Sequence, residues 1–162
     1  MFRRLERPNT GGHPLEEMRQ LPKNSVAYLY DDYTFRQGLE KMRYHGYTAI
    51  PVITRSGTYV GTVSEGDFLW QLLSDETKQQ KALSMKDMEH LRIRDILRGN
   101  HYPPVRITVS MEELMQSAMN QNFIPVVDDL GKFTGIVTRK DIIRYYAGKQ
   151  QSLVQPSLRK IV

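Results

Sequence analysis

The chain has 162 residues, 40% of them apolar and 25% charged. That suits one compact domain or two small repeats sharing a core, and excludes a disordered polymer. It has no cysteine, so disulfides, thiolate zinc sites and a thiol nucleophile are excluded. The net charge of +5 comes from lysines and arginines scattered among acidic residues. It reads as a solvated basic surface, without the basic stripe and stacking aromatics of a nucleic-acid binder.

Residues 1–20 read as an N-terminal segment. A first unit follows over 21–74. Thr34-Phe35-Arg36-Gln37 has capping-box form, and Phe35, Leu39 and Met42 continue it as a helical stripe. A short strand is predicted over Ala49–Ile53, a turn at Arg55-Ser56-Gly57, a second strand over Tyr59–Val63, and a helix from near Glu65. Residues 75–90 read as a helical connection, with further apolar positions up to Ile93. The second unit, 91–148, opens with the box Ser110-Met111-Glu112-Glu113 and a stripe of Met111, Leu114, Met115, Ala118 and Met119. Strands follow over Ile124–Val127 and Phe133–Val137, divided by a turn at Asp128-Asp129-Leu130-Gly131, and a helix starts near Lys140. Residues 149–162 read as a surface tail.

The two units are copies. Ile50-Pro51-Val52-Ile53, Gly57, Tyr59, Gly61, Val63, Ser64, Asp67 and Phe68 match Ile124-Pro125-Val126-Val127, Gly131, Phe133, Gly135, Val137, Thr138, Asp141 and Ile142, each pair 74 residues apart. A gapless series of that length is the signature of a repeated supersecondary unit. The capping boxes are 76 apart, so the second copy loses two residues between helix and strand. One unit alone is too small to bury a core comfortably, and pairing two solves that.

Thr138-Arg139-Lys140-Asp141 places a hydroxyl at a strand end and two cations at a helix start. Free helical N–H groups, the dipole and the cations suit a phosphate. The acceptor-only carboxylate of Asp141 suits a vicinal ribose diol. An isolated Thr-x-x-Asp is more often just a helix cap; the repeat and its flanks favour the ligand reading. Ser64-Glu65-Gly66-Asp67 keeps the hydroxyl and carboxylate, but Glu65 repels phosphate, so the two sites are expected to be unequal. Pro51 and Pro125 remove strand donors, which either marks an edge strand or frees backbone groups to read an adenine edge. Tyr28, Tyr30, Tyr44, Tyr47, Trp70 and Phe123 can stack on a base, although aromatics at such positions are more often core. The four histidines have no metal spacing, and the methionines of the helix stripes are expected in the core.

Ile-Pro-Val opening one strand and Gly-Ile-Val-Thr-x-x-Asp closing the next resemble the CBS (cystathionine-β-synthase) domain, over roughly Pro22–Tyr146. The resemblance implies an α/β CBS-domain pair: two βαββα-type repeats with sheets packed across a pseudo-twofold axis. The whole is similar to standalone bacterial CBS pairs that bind cyclic di-AMP, while other CBS pairs bind AMP, ADP or ATP. In that likeness Lys23, Ala27, Tyr28, Thr48, Ala49, Ile50, Pro51, Ser64 and Asp67 face ligand from the first copy. Phe123, Ile124, Pro125, Thr138, Arg139, Lys140 and Asp141 do so from the second.

No catalytic or metal-binding motif is found, and the expectation is a sensor rather than an enzyme. An adenine nucleotide serves as regulatory ligand, with no cofactor. The alternative is an interaction module with no physiological small-molecule ligand. The resemblance further implies a homodimer and a separate effector protein. No apolar run approaches a membrane span and no signal peptide is recognised, so a cytoplasmic location is expected.

Overall fold

The computed structural model describes residues 13–18, 21–22, 26–74, 85–99 and 101–153. The elements in chain order are α1 (Pro14–Glu17), β1 (Leu21–Pro22), β2 (Leu29–Tyr30), α2 (Phe35–His45), β3 (Ala49–Ile53), β4 (Tyr59–Ser64) and α3 (Glu65–Ser74). Then come α4 (Met85–His90), α5 (Ile93–Ile96), β5 (Val105–Arg106), α6 (Met111–Asn120), β6 (Phe123–Val127), β7 (Phe133–Thr138) and α7 (Arg139–Leu153). The β-α-β-β-α order thus occurs twice.

Local chemistry sets the helix ends. Thr34 Oγ1 accepts from the Gln37 N–H (3.1 Å) and Gln37 Oε1 accepts from the Thr34 N–H (2.9 Å), which closes the capping box of α2. The helix stops at Gly46, where φ is +66° and the N–H bonds the Met42 carbonyl. At α6, Ser110 Oγ accepts from the Glu113 N–H. The copy-to-copy length difference is divided: α6 is one residue shorter than α2 and its exit loop is one residue shorter.

In the first sheet β3 is central, parallel to β2 and antiparallel to β4. In the second, β6 is parallel to β5 and antiparallel to β7, and β1 adds a fourth strand beside β7. The edge-strand reading of Pro51 and Pro125 is therefore corrected: both lie in central strands. β2 and β5 are each only two residues long, and their pairing begins at Val52 and Val126, one residue past each proline. The partner strand stops short of the position where a donor is missing.

Each repeat has its own core between sheet and helices. Ile50, Val52, Val63 and Phe68 pack with Leu29, Phe35, Met42, Ile93 and Ile96. Their counterparts Ile124, Val126, Val137 and Ile142 pack with Leu114 and Val109, and also with Leu15 and Met18 from the N-terminal segment. Strand alternation sends Pro51, Ile53, Pro125 and Val127 to the opposite faces, where they are also buried.

The repeats meet on a pseudo-twofold axis. Thr58 and Lys132 form an antiparallel bridge. The Tyr59 N–H donates to the Gly131 carbonyl (3.1 Å), and the Phe133 N–H donates to the Gly57 carbonyl (2.9 Å). The two bonds are images of one another under the 74-residue offset. The Tyr59 and Phe133 rings stack at 6.2 Å. The half-buried Tyr59 hydroxyl donates to the Tyr102 carbonyl (2.7 Å) and is hydrogen-bonded to Thr62 Oγ1 (2.8 Å).

Two further expectations change. Met115 and Met119 face solvent on α6, Met119 81% exposed, because the helix rests on its sheet through Leu114 alone among its fully buried residues. The helix α7, which starts at Arg139, runs on to Leu153, into the segment read as a tail. Of the expected helical connection, α4 lies at Met85–His90, while 75–84 fall outside the described residues.

Candidate functional site

The antiparallel ladders bring the candidate residues together within each repeat. Ala49 pairs with Ser64 and Ile50 with Val63. Phe123 pairs with Thr138 and Ile124 with Val137. The Thr48 carbonyl accepts from the Glu65 N–H at 2.9 Å, tying the exposed Thr48 to the start of α3. Thus Thr48, Ala49, Ile50, Pro51, Ser64 and Asp67 form one group. Phe123, Ile124, Pro125, Thr138, Arg139, Lys140 and Asp141 form its image. Ile50 and Ile124 are core residues and offer only their backbones.

In the second group the cap closes on itself. Asp141 Oδ2 accepts from the Thr138 N–H (2.9 Å) and hydroxyl (2.7 Å), and the Asp141 N–H donates back to Thr138 Oγ1 (3.2 Å). Oδ1 receives no hydrogen bond among the described residues, so half the carboxylate is open to a ligand. Lys140 is exposed beside it. Arg139 is committed: Nε donates to the Ala118 carbonyl (2.7 Å) and Nη2 to that of Met119 (3.4 Å), where the guanidinium caps the end of α6.

The first group has the same cap, with Asp67 Oδ2 accepting from the Ser64 N–H (2.8 Å) and hydroxyl (3.0 Å). Its other oxygen is occupied, since Arg98 Nε lies 3.0 Å from Oδ1. Sequence reading missed Arg98: it belongs to no motif and stands 31 residues from its partner.

The aromatics divide. Phe123 is buried against Tyr102, ring centroids 5.0 Å apart. Tyr28 meets Tyr30 edge-on at 5.5 Å and carries the Lys41 ammonium 5.3 Å from its centroid, so its ring is already engaged. A hydrogen bond with Tyr30, and then burial, raises the Tyr28 phenol above the usual tyrosine range. Burial lowers the Lys41 ammonium, which donates to the Tyr28 carbonyl at 2.7 Å. Ala27 packs against the first core. Trp70 on α3 and Tyr44 near the end of α2 are exposed. The expected ligand residue Lys23 lies outside the described residues; the chain leaves Pro22 on the second sheet and re-enters the first at Ala27.

Among the described residues no cluster of three or more His, Asp or Glu forms a metal site. No helix among the described residues is long and apolar enough to cross a membrane. The chain is 28% identical over 107 residues to L-aspartate semialdehyde sulfurtransferase of Methanocaldococcus jannaschii, a stretch covering 65% of this chain and 18% of that enzyme. It spans less than half the length of the curated relatives it matches. The fold is similar to that of CbpB in complex with c-di-AMP, with TM-score 0.71, 23% identity, and coverage of 83% of this chain and 85% of that one. It is also similar to CBSX2 in complex with AMP, with TM-score 0.66, 22% identity, and coverage of 86% and 99%. The CBS-domain family model matches residues 18–74 and 93–148. With that match over two repeats that share one ladder, one cap and one axis, the chain belongs to the CBS-domain family.

Proposed function

We propose that this chain is a non-catalytic regulatory module that binds an adenine nucleotide and reports it to a separate effector protein. The observation that carries the reading is the second-repeat turn. Among the described residues one oxygen of Asp141 has no partner, Lys140 stands exposed beside it, and both sit at the first turn of a 15-residue helix. A diol fits the free oxygen, and a phosphate fits the ammonium and the helical N–H groups.

Cyclic di-AMP is the leading ligand, with AMP, ADP and ATP next. Support for the dinucleotide comes from the likeness to c-di-AMP-bound CbpB. Support for a mononucleotide comes from the likeness to AMP-bound CBSX2.

The module acts as a cytoplasmic homodimer. Leu69, Trp70 and Leu73 on α3, Met119 on α6, and Ile143 and Tyr146 on α7 are large exposed apolar residues on helices that cover the two cores. A groove of about 790 Å³ lies between α2 and α3; its floor is apolar, with Leu39, Met42, Phe68, Leu69 and Leu72, and Arg43, Tyr47 and Glu65 also line it. An exposed apolar face of this kind suits a second copy.

Calorimetry against AMP, ADP, ATP, cyclic di-AMP and S-adenosylmethionine tests the proposal. Binding of an adenine nucleotide without turnover supports it. Binding of none of them leaves an interaction module with no small-molecule ligand, and turnover makes the protein an enzyme.

A further inference from the structure

The two repeats share a carboxylate cap but leave it in different states. Among the described residues Asp141 keeps one oxygen free, whereas Asp67 has both engaged, Oδ2 by Ser64 and Oδ1 by Arg98. The Asp67 side chain is 3% exposed and that of Arg98 54%. The guanidinium therefore lies over the carboxylate as a cover with its outer side in water.

Arg98 is placed deliberately by its neighbours. Ile96 is buried in the first core. The Leu97 side chain comes within 3.0 Å of where a Cβ on Gly61 would stand, so it fills the space that the missing side chain in β4 leaves open. Two apolar anchors thus bring the inter-repeat segment onto the first sheet, and the next residue reaches the carboxylate. The second cap has no such partner among the described residues.

We infer that Arg98 is a built-in occupant of the first cap, holding the place that a ribose diol takes on Asp141, so that the chain accepts a mononucleotide in one repeat only. The inference rests on the proposed reading of Asp141 as a diol acceptor. The energetics run in one direction. The guanidinium brings a full positive charge to the carboxylate, whereas a ribose diol brings only neutral donors. A hydroxyl pair displacing Arg98 gives up the attraction between the two charges and leaves Arg98 unpaired. Glu65, where the second repeat has Arg139, adds repulsion toward phosphate at the same turn.

The test is calorimetry with AMP on wild type, Arg98→Met, Asp141→Ala and the double variant, with melting curves to verify folding. Expected are one AMP per chain in wild type, loss of that site in Asp141→Ala, two sites in Arg98→Met, and one in the double variant. Cyclic di-AMP has no free 3′ hydroxyl, so Arg98→Met gains no extra site for it. If Arg98→Met does not fold, Arg98→Gln keeps a neutral donor on Asp67 while removing the charge, and the second AMP site should appear there. Two AMP sites in wild type, or one unchanged site in the folded Arg98 variant, overturns the inference while leaving the sensor reading intact. No binding of AMP, ADP, ATP or cyclic di-AMP to any variant removes both.

Discussion

Replacing Tyr59 by phenylalanine deletes a single half-buried hydroxyl that ties the first repeat to the segment entering the second. It donates to the Tyr102 carbonyl at 2.7 Å and meets Thr62 Oγ1 at 2.8 Å. Thr62 can rotate its own hydroxyl, but the carbonyl loses its donor. One neutral bond plus part of the cost of an orphaned carbonyl comes to about 2 kcal/mol. For a chain of this size each kcal/mol is about 2–4 °C in Tm, so a fall of about 4–8 °C is expected. There is also a pH signature. Burial raises the Tyr59 phenol above the usual tyrosine range, so the unfolded chain loses that proton first as pH rises. The unfolded state then binds fewer protons than the native one. Wild-type stability from this group is complete below about pH 10 and falls above it by up to about 1.4 kcal/mol per pH unit. Tyr59→Phe should lose that part of the alkaline slope. Thermal melts at neutral pH, and urea titrations at neutral and alkaline pH, measure both effects. A Tm within about 1 °C of wild type, together with an unchanged alkaline slope, would refute the claim that this hydroxyl helps join the repeats.

Asp141→Ala should weaken AMP or ATP at least about tenfold, equivalent to about 1.4 kcal/mol, and cyclic di-AMP less. Thr48→Asn should do the reverse by crowding a base; calorimetry with both ligands reads the crossing. Leu69→Asp should yield a monomer by light scattering if the α3 face is the dimer contact, and an unchanged mass would count against that surface. Gly131→Ala should cost about 1–2 kcal/mol, since φ there is +77° with nothing within 4 Å to clash. Urea unfolding measures that strain free of steric effects.

The repeat was legible because burial and capping leave short-range marks. Ile50, Val52 and Val63 and their counterparts carry strand alternation, and Thr34 and Ser110 announce their helices three residues ahead. What escaped the sequence depends on distant or absent partners. Periodicity shows that Met115 and Met119 share a helix face, but not whether this chain covers that face. Leu21–Pro22 is too short for any pattern to foretell its place beside Gly135–Ile136. Pro51 and Pro125 suggested edges because proline lacks a donor, yet a two-residue neighbour makes the same omission harmless inside a sheet. Candidate site residues emerged as types at spacings. Arg98 on Asp67 and Arg139 on the end of α6 did not, since both are fixed by contacts 20 or more residues apart.

At the junction of the repeats, residue 58 bonds residue 132, its own counterpart. A contact between a residue and its image is self-complementary, the geometry of a twofold dimer. Such a surface needs only one gene copy to exist: a single repeat already carries both halves. Duplication and fusion turn an encounter between molecules into one within a molecule, at an effective concentration set by the connection rather than by expression. Once partners are guaranteed, the copies no longer have to be identical away from the axis. One can keep Thr138-Arg139-Lys140 while the other drifts to Ser64-Glu65-Gly66 and places an arginine on its own carboxylate. Holding the joint constant is what leaves the two pockets free to diverge.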